Sequence, residues 1–404
     1  MISIKTKNKI ITQKFSILWL SSMILDTSIQ KNSLLDILQG ISELGHDVSL
    51  IAMRSKSIDK ARNLQTQIFS IPLRHIPLFS RFMFSVALFL SLPFLIIISN
   101  PDFIIMDSYI PIFGSFSGLF FSKLKKTKFI LDIRTTPVET AGFRGSMLNF
   151  LFSTSILVAK KLFNGITILT PLMKKEVCCN FDLNPKNVGV WTSGVSKNLF
   201  DAQKVVSESA ELKTKMGLSG KFVVLYHGVL TATRGLQESI KAIEILKQKH
   251  PDVVLLFLGA GPVVPMLRFM VSEKNLQDNV IIHDPVEQSI VPQYIGFCDA
   301  GIVPLPNNSY WRFQSPLKLL EYLSMEKIVI VSDIPAHRAL IGETKCGVYF
   351  SSVKPVEIAK AIEYVYCNKQ HLEKWGKIGR EIVKKEYTWE KVAKDLENYL
   401  LSIK

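Results

Sequence analysis

Acidic side chains are scarce in the first half of this chain: residues 1–200 hold 11 Asp and Glu against 23 Lys and Arg. The second half holds 23 against 26, so most of the net charge of +15 sits in the first. Such an imbalance suits an anionic partner: nucleic acid, acidic lipid or a phosphorylated substrate. Cysteine is sparse too. The five present are odd in number and show no CxxC spacing, which excludes a disulfide framework and fits reduced thiols in the cytoplasm. Seven scattered histidines form no HExxH or finger spacing, so no metal site is expected. No repeat of fixed period and no low-complexity tract occurs. The basic half also lacks a nucleic-acid reading motif or interleaved aromatic and basic residues, which removes nucleic acid from the partners.

What is present is apolar and long. At 404 residues, 48% hydrophobic and 21% charged, the chain exceeds one ordinary core and is not disordered. Lys5, Lys7, Lys9 and Lys14 precede the apolar run FSILWLSSMIL. This looks like a signal peptide without a small-x-small cleavage site, and reads better as a first buried strand. Phe15–Ser21, Asp47–Met53, Phe103–Met106, Phe129–Ile133 and Gly165–Leu169 read as strands, and Ser33–Leu44 as a helix stopped by Gly45. Strands alternating with helices predict parallel βαβ units. Phe82–Ser99 carries no charge and is interrupted by Pro93. It has three readings: a buried crossover helix, a helix in the membrane interface, or a span. Two further apolar segments, IPIFGSFSGLFFSKLKKTK and MLNFLFSTSILVAKKLF, end in lysines. They read either as core helices or as elements facing anionic lipid.

From about Asn198 the chain turns polar, and DAQKVVSESAELKTKMGLSGK reads as a helical interdomain connection. A second alternating series follows, from FVVLYHG to GVYF, and Pro355–Lys404 is helical throughout. Ligands of such sheets lie beyond the carboxyl ends of the strands. Three strand ends carry suitable chemistry. Gly228 to Gly235 is a turn bearing Arg234, suited to a bidentate phosphate contact. Gly259-Ala-Gly261-Pro262 is a tight turn that lets a ligand lie against the main chain. Ser315 is expected as a helix N-cap, Pro316 as its first residue and Leu317–Ser324 as the helix, whose mouth is an anion site. Lys318 and Glu321, three apart, share a face there, either as a phosphate and sugar grip or as an exposed ion pair.

In order and spacing, these segments resemble the retaining GT-B glycosyltransferases of family 4. YHGVLTATRG is similar to their G-x-L-x-x-x-K/R-G segment, LFLGAGP to their G-x-G-P turn, and SPLKLLEYLSMEKIVIVSD to their S-P-x-K-x-x-E-Y segment. DPVEQSIVPQYIGFCDAGIVPL, which includes Val286, is similar to their base-contacting segment. WTSGVSKNLF and EYTWEKVAKDLENYL resemble their interdomain element and closing helix. The resemblance runs through about residues 188–404 and is looser before.

It implies an α/β GT-B fold, two Rossmann-like doubly wound domains facing a central cleft. Residues 1–198 would be the acceptor side, 199–384 the donor domain and 385–404 a helix crossing back. Carried over by position, Arg234 and Lys318 would hold the donor diphosphate, with the amides near Ser315, Pro316 and Leu317. Glu321 would hold the ribose, while Gly228, Gly235, Gly259, Gly261 and Val286 would line the nucleotide. No cofactor or metal is implied, because fixed donors stabilise the leaving diphosphate. The activity implied is transfer of a hexosyl group from a UDP- or GDP-sugar to a glycan or lipid-linked acceptor. The setting would be cell-surface glycan synthesis, with peripheral contact at the anionic inner face of the membrane.

The departures are specific. Phe313 replaces a frequent Glu, Val229 an Arg, and Glu326-Lys327-Ile328 a G-K-P. Ser21-Ser22-Met23 stands where a glycine-rich loop is usual. Arg134 is the nearest counterpart of a first-domain His, with Asp132 and Glu139 as further candidates there. Two other readings remain: a nucleotide-sugar 2-epimerase of the same fold, which would need more acid–base residues, and a non-catalytic nucleotide-sugar or lipid-binding partner.

Overall fold

Apolar runs of four to nine residues, bounded by Gly, Asn, Asp or Pro, are too short for stable helices and long enough for strands buried on both faces. In the computed structural model, which describes residues 14–25, 31–53, 66–71, 79–137 and 142–404, these runs build two parallel sheets. The chain divides into two units. One takes the residues up to Ile168 with Val177–Val190 and Ala393–Lys404; the other takes Leu169–Glu176 and Trp191–Val392.

The first unit runs β1 (Ser16–Ile24), α1 (Lys31–Glu43), β2 (Asp47–Met53), β3 (Gln67–Ile71), α2 (Phe79–Ser99), β4 (Phe103–Asp107) and α3 (Phe116–Lys125). It continues with β5 (Lys128–Ile133), α4 (Gly142–Leu162), β6 (Gly165–Ile168) and β7 (Val188–Val190); α5 (Pro171–Phe181) belongs to the second unit up to Glu176 and to the first from Val177 on. Its seven strands lie in the order β3-β2-β1-β4-β5-β6-β7. The two strands that sequence reading passed over, β3 and β7, are the two edges, short and without a continuous apolar run.

Pro93 does not interrupt α2, contrary to the sequence reading; the helix passes through it. A proline leaves the carbonyl four residues earlier without its donor. Here the hydroxyl of Ser117 on α3 donates to that carbonyl, of Phe89. Gly114 and Gly118 bring the segments together, since a Cβ on Gly118 would fall 2.8 Å from Leu92. One stripe of α2 (Phe84, Leu88, Leu92, Ile96) packs on Leu18, Leu20, Ile104 and Met106 of the sheet. Its other face is exposed, and α2 is the one helix among the described residues long and apolar enough to cross a membrane by length and composition.

The second unit holds α6 (Val206–Lys215), β8 (Phe222–His227), α7 (Leu236–Leu246), β9 (Val253–Leu258), α8 (Val264–Glu273), β10 (Val280–His283), α9 (Val291–Phe297) and β11 (Ala300–Val303). Then come α10 (Leu317–Ser324), β12 (Ile328–Ser332), α11 (Pro335–Ile341), β13 (Gly347–Phe350), α12 (Pro355–Cys367) and α13 (Leu372–Glu386); α14 (Trp389–Ser402) begins in this unit and belongs to the first from Ala393 on. Its order is β10-β9-β8-β11-β12-β13, all parallel. The order reverses between β8 and β11. At such a switch point the two flanking connections leave on opposite faces and open a crevice at the carboxyl edge. The polar segment α6 is no free connection: Ser209 is buried, close against Gly296 of α9.

Candidate active site

The connections on either side of that switch point carry the residues singled out in sequence. After β8 the chain turns at Gly228, and a short 3-10 turn, Ala232–Arg234, leads to Gly235, which begins α7 in the left-handed region. After β9 come Gly259 and Gly261. Their lack of a side chain is used by the protein itself. A Cβ on Gly259 would lie 2.0 Å from the Gly228 carbonyl oxygen, and one on Gly261 would lie 1.9 Å from that of Leu230. The two loops therefore touch main chain to main chain, tied by Gly228 N to Leu258 O at 2.9 Å and Leu230 N to Ala260 O at 2.8 Å. Val286, after β10, packs on the apolar core.

After β11 the chain enters α10. Sequence placed Ser315 at the N-cap and Pro316 inside the helix; instead Pro316 is the N-cap, in extended conformation, and the helix starts at Leu317. The hydroxyl of Ser315 is engaged elsewhere, 3.2 Å from Thr192 Oγ1, and its carbonyl accepts from Ser193 Oγ at 3.3 Å. No side chain caps α10. Its first amides keep the partial positive charge that attracts an anion.

Two cations converge on this mouth. Arg234 lies with its guanidinium 4.9 Å from the Trp311 ring centre, and Trp311 Nε1 donates to Thr233 O at 3.2 Å, fastening the β8 loop. The Nε of Arg234 is buried without a partner among the described residues. Lys318 reaches across α10 so that its ammonium lies 5.0 Å from the Tyr226 ring centre, beside Gly228. Burial, and then the neighbouring Arg234, pull Lys318 down to about 7, with Glu321 acting the other way. Two like charges held together in partial burial destabilise each other, and a bound dianion relieves both.

Glu321 stands one turn further along α10, with its Oε2 3.2 Å from His227 Nε2. Burial, and then Lys318, push His227 down to about 3, so its imidazole is neutral at physiological pH. Sequence reading missed His227, Tyr226 and Trp311. The available signal was a strand, FVVLYH, whose last two residues are polar-tipped and stand directly before Gly228. Arg234, Lys318, Glu321 and Gly228 are thus brought together, while Gly259 and Gly261 serve loop packing.

In the first unit, Asp132, next to last in β5, accepts a hydrogen bond from Thr167 Oγ1 of β6 at 2.7 Å. Arg134 follows it; burial lowers its guanidinium to about 10, while Asp132 opposes the shift. Glu139 lies outside the described residues. The place of the glycine-rich loop has its own arrangement. Asp107, ending β4, accepts from Ser21 Oγ at 2.8 Å and the Ser22 amide at 2.7 Å, and burial raises its carboxyl. Among the described residues no three His, Cys, Asp or Glu side chains cluster as metal ligands do.

Residues 208–382 match the family described as glycosyl transferases group 1. An alpha-D-kanosaminyltransferase of Streptomyces kanamyceticus is 25% identical over 155 residues, 38% of this chain and 39% of that protein. The chain thus spans about two fifths of the length of that relative. Among solved structures, a glycosyltransferase from Rickettsia africae ESF-5 superposes with a TM-score of 0.76 at 16% identity, over 97% of this chain and 100% of the other. Anabaena Alr3699/HepE in complex with UDP superposes with a TM-score of 0.75 at 14% identity, over 96% of this chain and 100% of the other. At such identities the superpositions speak for the fold. Residues 208–382 belong to the glycosyl transferases group 1, family 4, within a GT-B fold that runs through the chain.

Proposed function

We propose that this protein is a retaining, metal-independent glycosyltransferase that moves a hexosyl group from a UDP- or GDP-sugar to a lipid-linked or saccharide acceptor at the inner membrane face, in cell-surface glycan synthesis. The observation that carries it is the meeting of Arg234, Lys318 and Glu321 at the switch point of the second sheet. Two cations with the open end of α10 match a diphosphate, and a carboxylate beside them matches the ribose hydroxyls. A UDP complex of the structural neighbour HepE supports a uridine nucleotide.

The sugar–oxygen bond to the diphosphate breaks, and Arg234 and Lys318 take up the charge that develops on the leaving oxygen. The acceptor hydroxyl attacks the same face of the sugar, its proton passing to the departing phosphate. In the first unit, Arg134, held beside Asp132, serves the anionic acceptor. Donor turnover by Arg234→Ala and Glu321→Ala variants tests the reading: each is expected to fall at least about a hundredfold. Unchanged turnover in either sinks the assignment. Full activity after chelator treatment is expected, and its loss would overturn the metal-independent form.

A further inference from the structure

While one stripe of α2 is spent on the core, Phe82, Phe89, Leu90, Phe94, Ile97 and Ile98 on the other side are 47–81% exposed. The adjoining α3 shows Phe116, Phe120 and Leu124, one turn apart, at 40–70%. So large an exposed apolar surface on two packed helices marks an interaction site. Charge says with what. Neither helix carries an acidic residue, and Lys123, Lys125 and Lys126 stand exposed at the end of α3. Self-association is disfavoured, because an isologous contact would bring the same lysines together with no carboxylate to answer them.

We infer that the α2–α3 face docks in the plane of an anionic bilayer, its aromatic and aliphatic side chains entering the acyl boundary and its lysines meeting lipid phosphates. This rests on the membrane side of the proposed function and is independent of the sugar chemistry. α2 does not span, since Phe84, Leu88, Leu92 and Ile96 belong to the sheet's core and leaving it would uncover β1 and β4. The helix lies half in protein and half in lipid, the geometry of an interfacial helix.

Flotation of the full chain with phosphatidylcholine vesicles, with and without phosphatidylglycerol, at low and high salt, tests this. Binding is expected to need the anionic lipid and to weaken with salt. A Leu90→Glu/Phe94→Glu variant is expected to lose at least about tenfold in partitioning. A Lys123→Gln/Lys125→Gln/Lys126→Gln variant is expected to lose on the order of a hundredfold on anionic vesicles. Both are expected to keep the wild-type melting temperature and its rise on adding UDP-glucose. Absent binding, equal binding to both vesicles, resistance to alkaline extraction, or a solution dimer broken by Leu90→Glu would each overturn the docking. A UDP-glucose shift that persists while docking fails leaves the glycosyltransferase reading standing, and the reverse result leaves the docking standing.

Discussion

His227 Nε2 and Glu321 Oε2 stand 3.2 Å apart, yet misaligned for a hydrogen bond, with the imidazole otherwise unpartnered at that atom. Tyr322 holds the strand end in place: its hydroxyl donates to Leu225 O at 2.7 Å and accepts from the His227 amide at 3.2 Å. The contact between a neutral imidazole and a carboxylate therefore sits on a fixed backbone.

On the proposed reading, His227 is expected to position Glu321 for the donor. His227→Ala is expected to raise KM for the donor about tenfold, the worth of one charge-assisted hydrogen bond, with a smaller change in kcat. His227→Gln, which can still donate, is expected to recover most of it. Steady-state kinetics with varied donor checks both, and an equal loss in both variants would leave His227 with a packing role only.

On the proposed reading, Lys318 is expected to make donor affinity depend on pH. With its pKa in the free protein near 7, the ammonium is mostly neutral above that value, and a bound diphosphate restores the proton. Donor affinity is expected to weaken as pH rises from 7 toward 9, by up to about tenfold per unit. Calorimetry in buffers of different ionisation enthalpy would report proton uptake on binding at pH 8. Lys318→Arg is expected to abolish the uptake, and if the uptake survives that change, another group carries the linkage.

Two buried histidines add an acid limit to stability. Burial holds His227 near 3 and His337 near 4 in the folded protein, both below the usual 6.5. The unfolded chain binds more protons between 6.5 and those values. Stability is therefore intact above pH 6.5 and falls as pH drops, by up to about 1.4 kcal/mol per pH unit for each residue. Urea midpoints measured from pH 7 to 4 are expected to fall less steeply in His337→Gln than in the parent. Parallel curves would contradict the burial of that imidazole.

Gly259→Ala is expected to cost about 3 kcal/mol, because the new Cβ meets the Gly228 carbonyl oxygen and the backbone there has φ +151. A lowered urea midpoint at unchanged m-value is the signature. A loss under about 0.5 kcal/mol would mean the two loops separate easily.

Glu397 on α14 is fully buried, with Oε1 2.9 Å from Nε2 of the equally buried His46, which also stacks on Phe15. Lys394 pairs with the same carboxylate. Removing it in Glu397→Ala leaves two donors without their acceptor and is expected to cost about 3 kcal/mol. Denaturant unfolding of the variant checks this, and a near-neutral result would show that water replaces the carboxylate.

Local pattern alone determined the alternation of strand and helix, the parallel class and the strand ends worth watching, because each depends on periodicity and neighbours a few residues apart. It placed Arg234, Gly228, Lys318 and Glu321 at the edges of sheet strands. It missed β3 and β7, whose pairing comes from a neighbouring strand rather than from their own composition. It misjudged Pro93, since the donor that rescues the Phe89 carbonyl is Ser117, 28 residues away. It set Ser315 at the helix cap, where tertiary contact with Thr192 claims the hydroxyl. Only the folded chain decided that Gly259 and Gly261 make way for another loop, that Lys318 is driven toward neutrality and that His227 faces Glu321. Each of these depends on segments far apart in sequence, and desolvation and close approach exist only once those segments have packed.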